Sequence, residues 1–247
     1  MKIIRHIPNL LTLSNLLCGL LAVKFALAGD LTSSSWCIFI ASVFDFSDGF
    51  AARLLKAYSE LGKQLDSLAD MVSFGVAPSF ILYQLLQAHQ ATVAAYTGDG
   101  FLLQIVMFLP LSIALFSALR LAKFNIDERQ SSSFIGLPTP ANAMLIASIP
   151  FTSTIGGWDL QAFWANPLIL NLLTLVFSWM LVSPIPLFAL KFKHFRFRGN
   201  EVRYIFLGFS LILIATLLLN SIAFIILLYV IISVLNVIFA KGKDDKH

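Results

Sequence analysis

Four aspartates stand at positions 45, 48, 66 and 70 of a chain that is otherwise mostly apolar. Asp45 and Asp48 are three residues apart, and Asp66 and Asp70 four apart, so each pair shares one face of a helix. The segment that carries them, DFSDGFAARLLKAYSELGKQLDSLAD, also holds Gly49, Arg53 and Gly62. Four like charges gathered in a low dielectric cannot all stay ionised alone. They can hold protons, as in a relay. They can pair with cations of the chain, of which Arg53, Lys56 and Lys63 are nearest in sequence. They can bind metal, and with no His or Cys beside them an all-oxygen set suits Mg²⁺, Mn²⁺ or Ca²⁺. Two such ions sharing carboxylates form a clamp for phosphoryl chemistry. Gly49 beside Asp48, followed by Ala51 and Ala52, keeps the helix surface low up to Arg53. That leaves a berth for a flat base and a pyrophosphate, although each glycine alone also suits close helix packing.

Composition sets the elements that must position these residues. Of 247 residues, 58% are hydrophobic and 12% charged, where a soluble domain carries about 25% charged residues. The apolar runs are continuous rather than alternating, which favours helices over a barrel. We expect an all-α integral membrane protein, a bundle of about eight transmembrane helices. The spans fall near 9–28, 34–55, 66–88, 101–122, 139–156, 167–190, 204–219 and 221–240. Residues 1–8 read as a short N-terminal interfacial helix, and 1–247 as one membrane domain. No small-residue cleavage site follows the first apolar run and more spans come after it, so it reads as mature sequence. Cys18 and Cys37 sit in apolar segments as small hydrophobes, with no disulfide expected.

Under this layout sixteen of the seventeen Lys and Arg fall on one side of the membrane. The exception, Lys24, lies near a helix end and can snorkel outward. The positive-inside rule then places both termini and the aspartate hairpin on the cytoplasmic face of the inner membrane. The stretch KFKHFRFRGNEVRY alternates basic and aromatic residues, a pattern seen in nucleic-acid binding. Beside the inner leaflet it reads as attraction to anionic membrane lipids, with no nucleic-acid partner.

Asp45, Asp48, Gly49, Ala52, Arg53, Gly62, Asp66 and Asp70 match, at all eight positions and spacings, the signature of the CDP-alcohol phosphatidyltransferase family, which the chain therefore resembles. The resemblance implies transfer of a phosphatidyl or related group from a CDP-linked donor to an alcohol, releasing CMP. It makes Asp45, Asp48, Asp66 and Asp70 the ligands of a divalent metal, two ions of Mg²⁺ or Mn²⁺ (or Ca²⁺), with Asp70 also the general base. Gly49 and Arg53 match positions that hold the CDP group, within a signature that includes Ala52 and Gly62. Ser59 falls where relatives carry a Ser or Thr near the nucleotide. Asn9, in PNLLTLSN, matches a motif near the donor. The resemblance also implies a homodimer and a six-helix catalytic core, about 9–190, so that the helices near 204–240 are two additions.

RLAKFN at 120–125 and FIGLPTP at 134–140 resemble the branch of the family that uses CDP-diacylglycerol and L-serine, with Lys123 standing where a second Arg is usual. Arg120 suits the serine carboxylate, with Lys123 and Asn125 as further acceptor-binding candidates. Two plainer readings stand beside this: Arg120 and Lys123 end a helix at the inner leaflet, and the GLPTP turn starts the next helix. Other acceptors, glycerol 3-phosphate or an inositol phosphate, are the first alternative. A proton- or cation-coupled transporter is a distant one, because its acids would lie near the midplane of several helices.

Overall fold

The computed structural model describes residues 6–126, 134–152, 154–155, 158–187, 200–217 and 220–244. Helix α1 (Ile7–Leu27) has Pro8 in its first turn, where a missing N–H leaves no bond unmade. Its buried residues are Pro8, Thr12, Asn15, Gly19, Ala22 and Ala26, a stripe of small and polar side chains spaced alternately by four and three. Its leucines, Leu10, Leu13, Leu17 and Leu20, face outward. In water this helix would be inside out. In lipid it follows the expected logic, because Leu gains little by leaving hydrocarbon while small residues let helices approach closely.

Helix α2 (Leu31–Leu54) repeats the pattern: Ser34, Ser35, Ile38, Ala41 and Asp48 are buried, and Trp36, Ile40, Val43, Phe46 and Phe50 are exposed. Gly29, at φ +80, makes the turn between the two helices, and the Asp30 side chain caps α2 by accepting from Ser33 N at 3.0 Å. At the far end Lys56 takes a left-handed φ of 50, and Ala57 N donates to Ala52 O at 3.0 Å. Together they form a Schellman-type stop.

Helix α3 (Glu60–Gln87) begins six residues before the expected 66, because Ser59 caps it by accepting from Gly62 N at 3.0 Å. It is α-helical to Asp70, widens into a π-helix over Met71–Val76, and returns to α-helix from Ala77. α1 packs along α2 and against α3 throughout, so the first helix bridges the two that carry the aspartates. A short α4 (Gln90–Thr97) leads to α5 (Phe101–Ile126), which passes through a 3₁₀ turn, Leu109–Leu111, at Pro110.

The second half differs more from expectation. Strand β1 (Phe134–Ile135) pairs with β4 (Pro186–Leu187) and precedes α6 (Thr139–Ser148). α6 is shorter than the span expected at 139–156. Around Pro150 it tightens into a 3₁₀ turn, and β2 (Thr154–Ile155) then pairs with β3 (Trp158–Asp159). After α7 (Leu160–Ala165), α8 (Pro167–Val182) stops short of 190 because Ser183 precedes Pro184 and takes an extended ψ of 147. The remaining helices are α9 (Glu201–Leu217) and α10 (Ser221–Asp244). Residues 7 and 8 belong to α1 rather than to an interfacial helix, while residues 1–5 and the basic stretch at 188–199 lie outside the described residues.

Among the described residues the fold is thus all-helical apart from two-residue strand pairs, a multi-pass membrane architecture. Ile7–Leu27, Glu60–Gln87 and Phe101–Ile126 are long and apolar enough to cross a bilayer, with Pro167–Val182 and Ser221–Leu235 as shorter apolar helices. Eight full spans do not follow from this: α2 carries Asp45, Asp48 and Arg53 in one half, and α6 has only 10 residues. The core joins Phe74, Ile81 and Leu82 of α3 to Ile113 of α5 and to Leu145 and Ile146 of α6. α10 also enters it through Ala223, Ile226 and Val230, and packs on α6.

Candidate active site

The two aspartate pairs converge where α2 ends and α3 begins. One carboxylate oxygen from each of Asp45, Asp48 and Asp66 lies within 4.8 Å of the others. Asp70 is not part of that close set but lies against Asp45. Asp48 and Asp70 are buried, and Asp45 and Asp66 half-buried. The stripe on α1 holds them. Thr12 Oγ1 donates to Asp48 Oδ2 at 2.6 Å, and Asn15 Nδ2 donates to Asp70 Oδ1 at 3.2 Å. One turn on, Ser73 Oγ donates to Asn15 O at 3.0 Å beside Gly19. Thr12 and Asn15 hold two of the aspartates, and reading for charge passes over them. The signal for them is polar side chains on the small-residue face of an apolar helix.

Asp66 Oδ1 is buried and has no hydrogen-bond partner among the described residues. A spare carboxylate oxygen beside two more carboxylates is a donor set of hard oxygens, and it fits a divalent cation. Asp45, Asp48 and Asp66 are the residues that would hold it.

A cavity of about 550 Å³ opens beside this cluster. All five expected donor-binding residues other than Arg53 line it: Asn9, Gly49, Ala52, Ser59 and Gly62, next to Asp48 and Asp66. Asp45 and Asp70 do not line it, so the carboxylate cluster has a second side. Arg53 is exposed and outside the lining, whereas Lys63 reaches the lining and donates to Asn125 O at 3.1 Å. The two glycines differ. A Cβ on Gly62 would meet Ser59 Oγ at 3.0 Å and Asn9 Oδ1 at 3.2 Å, so Gly62 serves close packing. A Cβ on Gly49 would meet nothing within 4 Å, so the space over it is kept open for something else. We expect Gly49→Ala to hold or raise the melting temperature, since Ala is favoured over Gly inside a helix by roughly 1 kcal/mol, and to raise the KM for the donor about tenfold. A misplaced methyl in a fitted site costs about 1–3 kcal/mol, and 1.4 kcal/mol is about tenfold. Steady-state titration of the donor checks this.

The acceptor candidates separate. Arg120 is 7% exposed, within electrostatic range of Asp70, and 5.9 Å over the Phe124 ring. Lys123, on the same helix, is exposed. Asn125 donates through Nδ2 to Ser67 Oγ at 2.8 Å and so ties α5 to α3. Only Arg120 of the three is turned toward the aspartates.

A family model described as CDP-alcohol phosphatidyltransferase matches residues 5–241. The chain belongs to the CDP-alcohol phosphatidyltransferase family. Among curated proteins of this family, a Bacillus subtilis (strain 168) protein named CDP-diacylglycerol–serine O-phosphatidyltransferase is 37% identical over 196 residues, covering 79% of this chain and 94% of the relative. A protein of the same name from Helicobacter pylori (strain J99) is 38% identical over 141 residues, 56% of this chain and 54% of the relative. One from Methanocaldococcus jannaschii is 36% identical over 140 residues, 57% and 58% of the two chains. The chain is therefore a transferase.

Proposed function

We propose that this chain transfers the phosphatidyl group of CDP-diacylglycerol to the hydroxyl of L-serine, forming phosphatidylserine and releasing CMP. The observation that carries this is the three-carboxylate cluster, two of whose members, Asp48 and Asp66, line an open cavity together with Gly49. The names of the curated relatives support serine as acceptor. Cytidine and diphosphate occupy the cavity while the acyl chains stay in lipid. One or two divalent cations, Mg²⁺ or Mn²⁺, held by Asp45, Asp48 and Asp66, offset diphosphate charge when bound. Arg53, four residues after Gly49 on the same face of α2, adds positive charge at that end.

Asp70, fixed by Asn15, accepts the serine proton as the hydroxyl oxygen bonds to the phosphorus that carries diacylglycerol. The bond from that phosphorus to CMP breaks in line, and CMP leaves with the electron pair. A single displacement suits the site, because no histidine among the described residues lines the cavity to activate a nucleophile. In the membrane the chain makes eight passes with both termini and the site on the cytoplasmic side, and it works as a homodimer. The distribution of Lys and Arg supports that orientation.

The test is CMP release from CDP-diacylglycerol with serine, glycerol 3-phosphate, inositol and inositol phosphate compared side by side. We expect turnover with serine alone, abolished by a chelator and restored by Mg²⁺ or Mn²⁺. Turnover only with another acceptor overturns the serine reading, and turnover undiminished by chelation overturns the metal.

A further inference from the structure

Helix α6 carries two polar side chains that the fold leaves with nothing to bond. Thr139 and Asn142, one turn apart at its N-terminal end, are completely buried. Thr139 Oγ1, Asn142 Oδ1 and Asn142 Nδ2 have no hydrogen-bond partner among the described residues. Buried amides and hydroxyls are nearly always bonded, so three such atoms together point to a missing partner. On α5, Arg120 Nε is likewise buried and unpartnered, and so is Ser117 Oγ one turn earlier.

These groups belong to one region. α6 packs on the π-helical segment that directly follows Asp70, and on α2 and α10. α5 packs on that same segment, with Ser117 against Gly75. Arg120 lies within electrostatic range of both Asp70 and Tyr229 of α10. None of Arg120, Thr139 and Asn142 lines the donor cavity, and neither does Asp70. The unpartnered groups therefore lie outside the donor cavity, on the two helices that pack against the segment following Asp70.

We infer that Arg120, Thr139 and Asn142 form the subsite for the acceptor amino acid. The inference rests on the serine reading above and names its residues. A guanidinium pairs with the carboxylate of a zwitterion. An amide oxygen and a hydroxyl are acceptors for its ammonium, and the amide NH₂ is a donor for its hydroxyl oxygen. Held so, the serine hydroxyl faces Asp70. The subsite takes a small amino alcohol with a carboxylate, and Lys123, the other basic residue of α5, is exposed rather than turned to it for a phosphate. α10 then closes the acceptor side of the site and is not an appendage to it.

The experiment uses Thr139→Val, Thr139→Ser and Asn142→Leu in the full chain. CMP release is measured against serine and against 3-hydroxypropionate, which lacks the ammonium, with thermal unfolding followed in parallel. We expect Thr139→Val and Asn142→Leu each to raise the serine KM at least tenfold. The KM for CDP-diacylglycerol and the melting temperature should stay unchanged in both, turnover of 3-hydroxypropionate should stay unchanged in Thr139→Val, and Thr139→Ser should lie close to wild type. Serine KM within twofold of wild type in both apolar variants overturns the inference, as does a fall in melting temperature with equal loss toward both acceptors, since that marks a structural role. A wild-type chain that ignores serine and uses another alcohol overturns the serine reading itself, and is seen before any variant is made.

Discussion

Asp70→Asn is expected to lower CMP release by a factor of about 10³ or more while the protein stays folded. General acid–base groups contribute about 10²–10⁴ in rate, and an amide cannot take the proton. The substitution keeps shape and retains an oxygen for the 3.2 Å bond from Asn15 Nδ2, so the local structure has no reason to move. Removing one of four like charges relieves repulsion, and the melting temperature should hold or rise. That opposite movement of stability and activity separates a lost functional group from simple damage. Asp66→Asn makes a useful contrast. Asp66 belongs to the close set of three carboxylates, so its loss should weaken divalent-cation affinity, and a large excess of Mg²⁺ should recover part of the activity. Asp70→Asn should not respond to added metal. Turnover at the wild-type rate in Asp70→Asn removes Asp70 from the chemistry.

Gly19→Val is expected to damage fold and activity together. A Cβ on Gly19 would stand 2.3 Å from Ser73 Oγ, 2.8 Å from Ser73 Cα and 3.0 Å from Ser73 N. Two of those atoms are backbone, so no rotamer change relieves the clash, and α1 must move away from α3. Overpacking of this kind costs about 1–3 kcal/mol and sometimes more. The movement also breaks a relay of contacts, because Ser73 holds Asn15 and Asn15 holds Asp70. Both the melting temperature and kcat should fall, and Gly19→Ala should show the same effect in milder form. Gly208→Ala is the control: a Cβ there meets nothing within 4 Å, and in a helix Ala is favoured over Gly by roughly 1 kcal/mol. A Gly19→Val protein as stable and active as wild type would mean that α1 does not hold the aspartates.

The aspartate cluster was legible because its information is local. Spacings of three and four residues fix which side chains share a helical face, and the hairpin between α2 and α3 brings the two faces to one end. Gly49 was legible for the same reason, though only the open space above it separates a ligand berth from close packing. The roles of Thr12 and Asn15 depend on which neighbour α1 chooses, which periodicity alone does not state. Lys123 looked equivalent to Arg120 because both are basic and three residues apart, yet burial separates them. The span ends at Pro150 and Ser183 were misplaced by counting apolar residues without weighing the prolines. The π-helical turn at Met71–Val76 has no sequence signature of its own, since Ser73, Phe74 and Gly75 are ordinary in a membrane helix.

That π-helical turn has a consequence for how the site can change over generations. Within it Ala77 N bonds to Val72 O, five residues back instead of four. An α-helix advances about 100° per residue, so winding these same residues as α-helix would turn the Asp66–Asp70 end of α3 through roughly that angle against the half that packs in the core. The insertion works as a clutch. The half beyond it can exchange its apolar residues as lipid thickness or neighbours demand, and the aspartates keep their heading. A chain without it would have to alter its reaction centre each time it refitted its anchor in the bilayer.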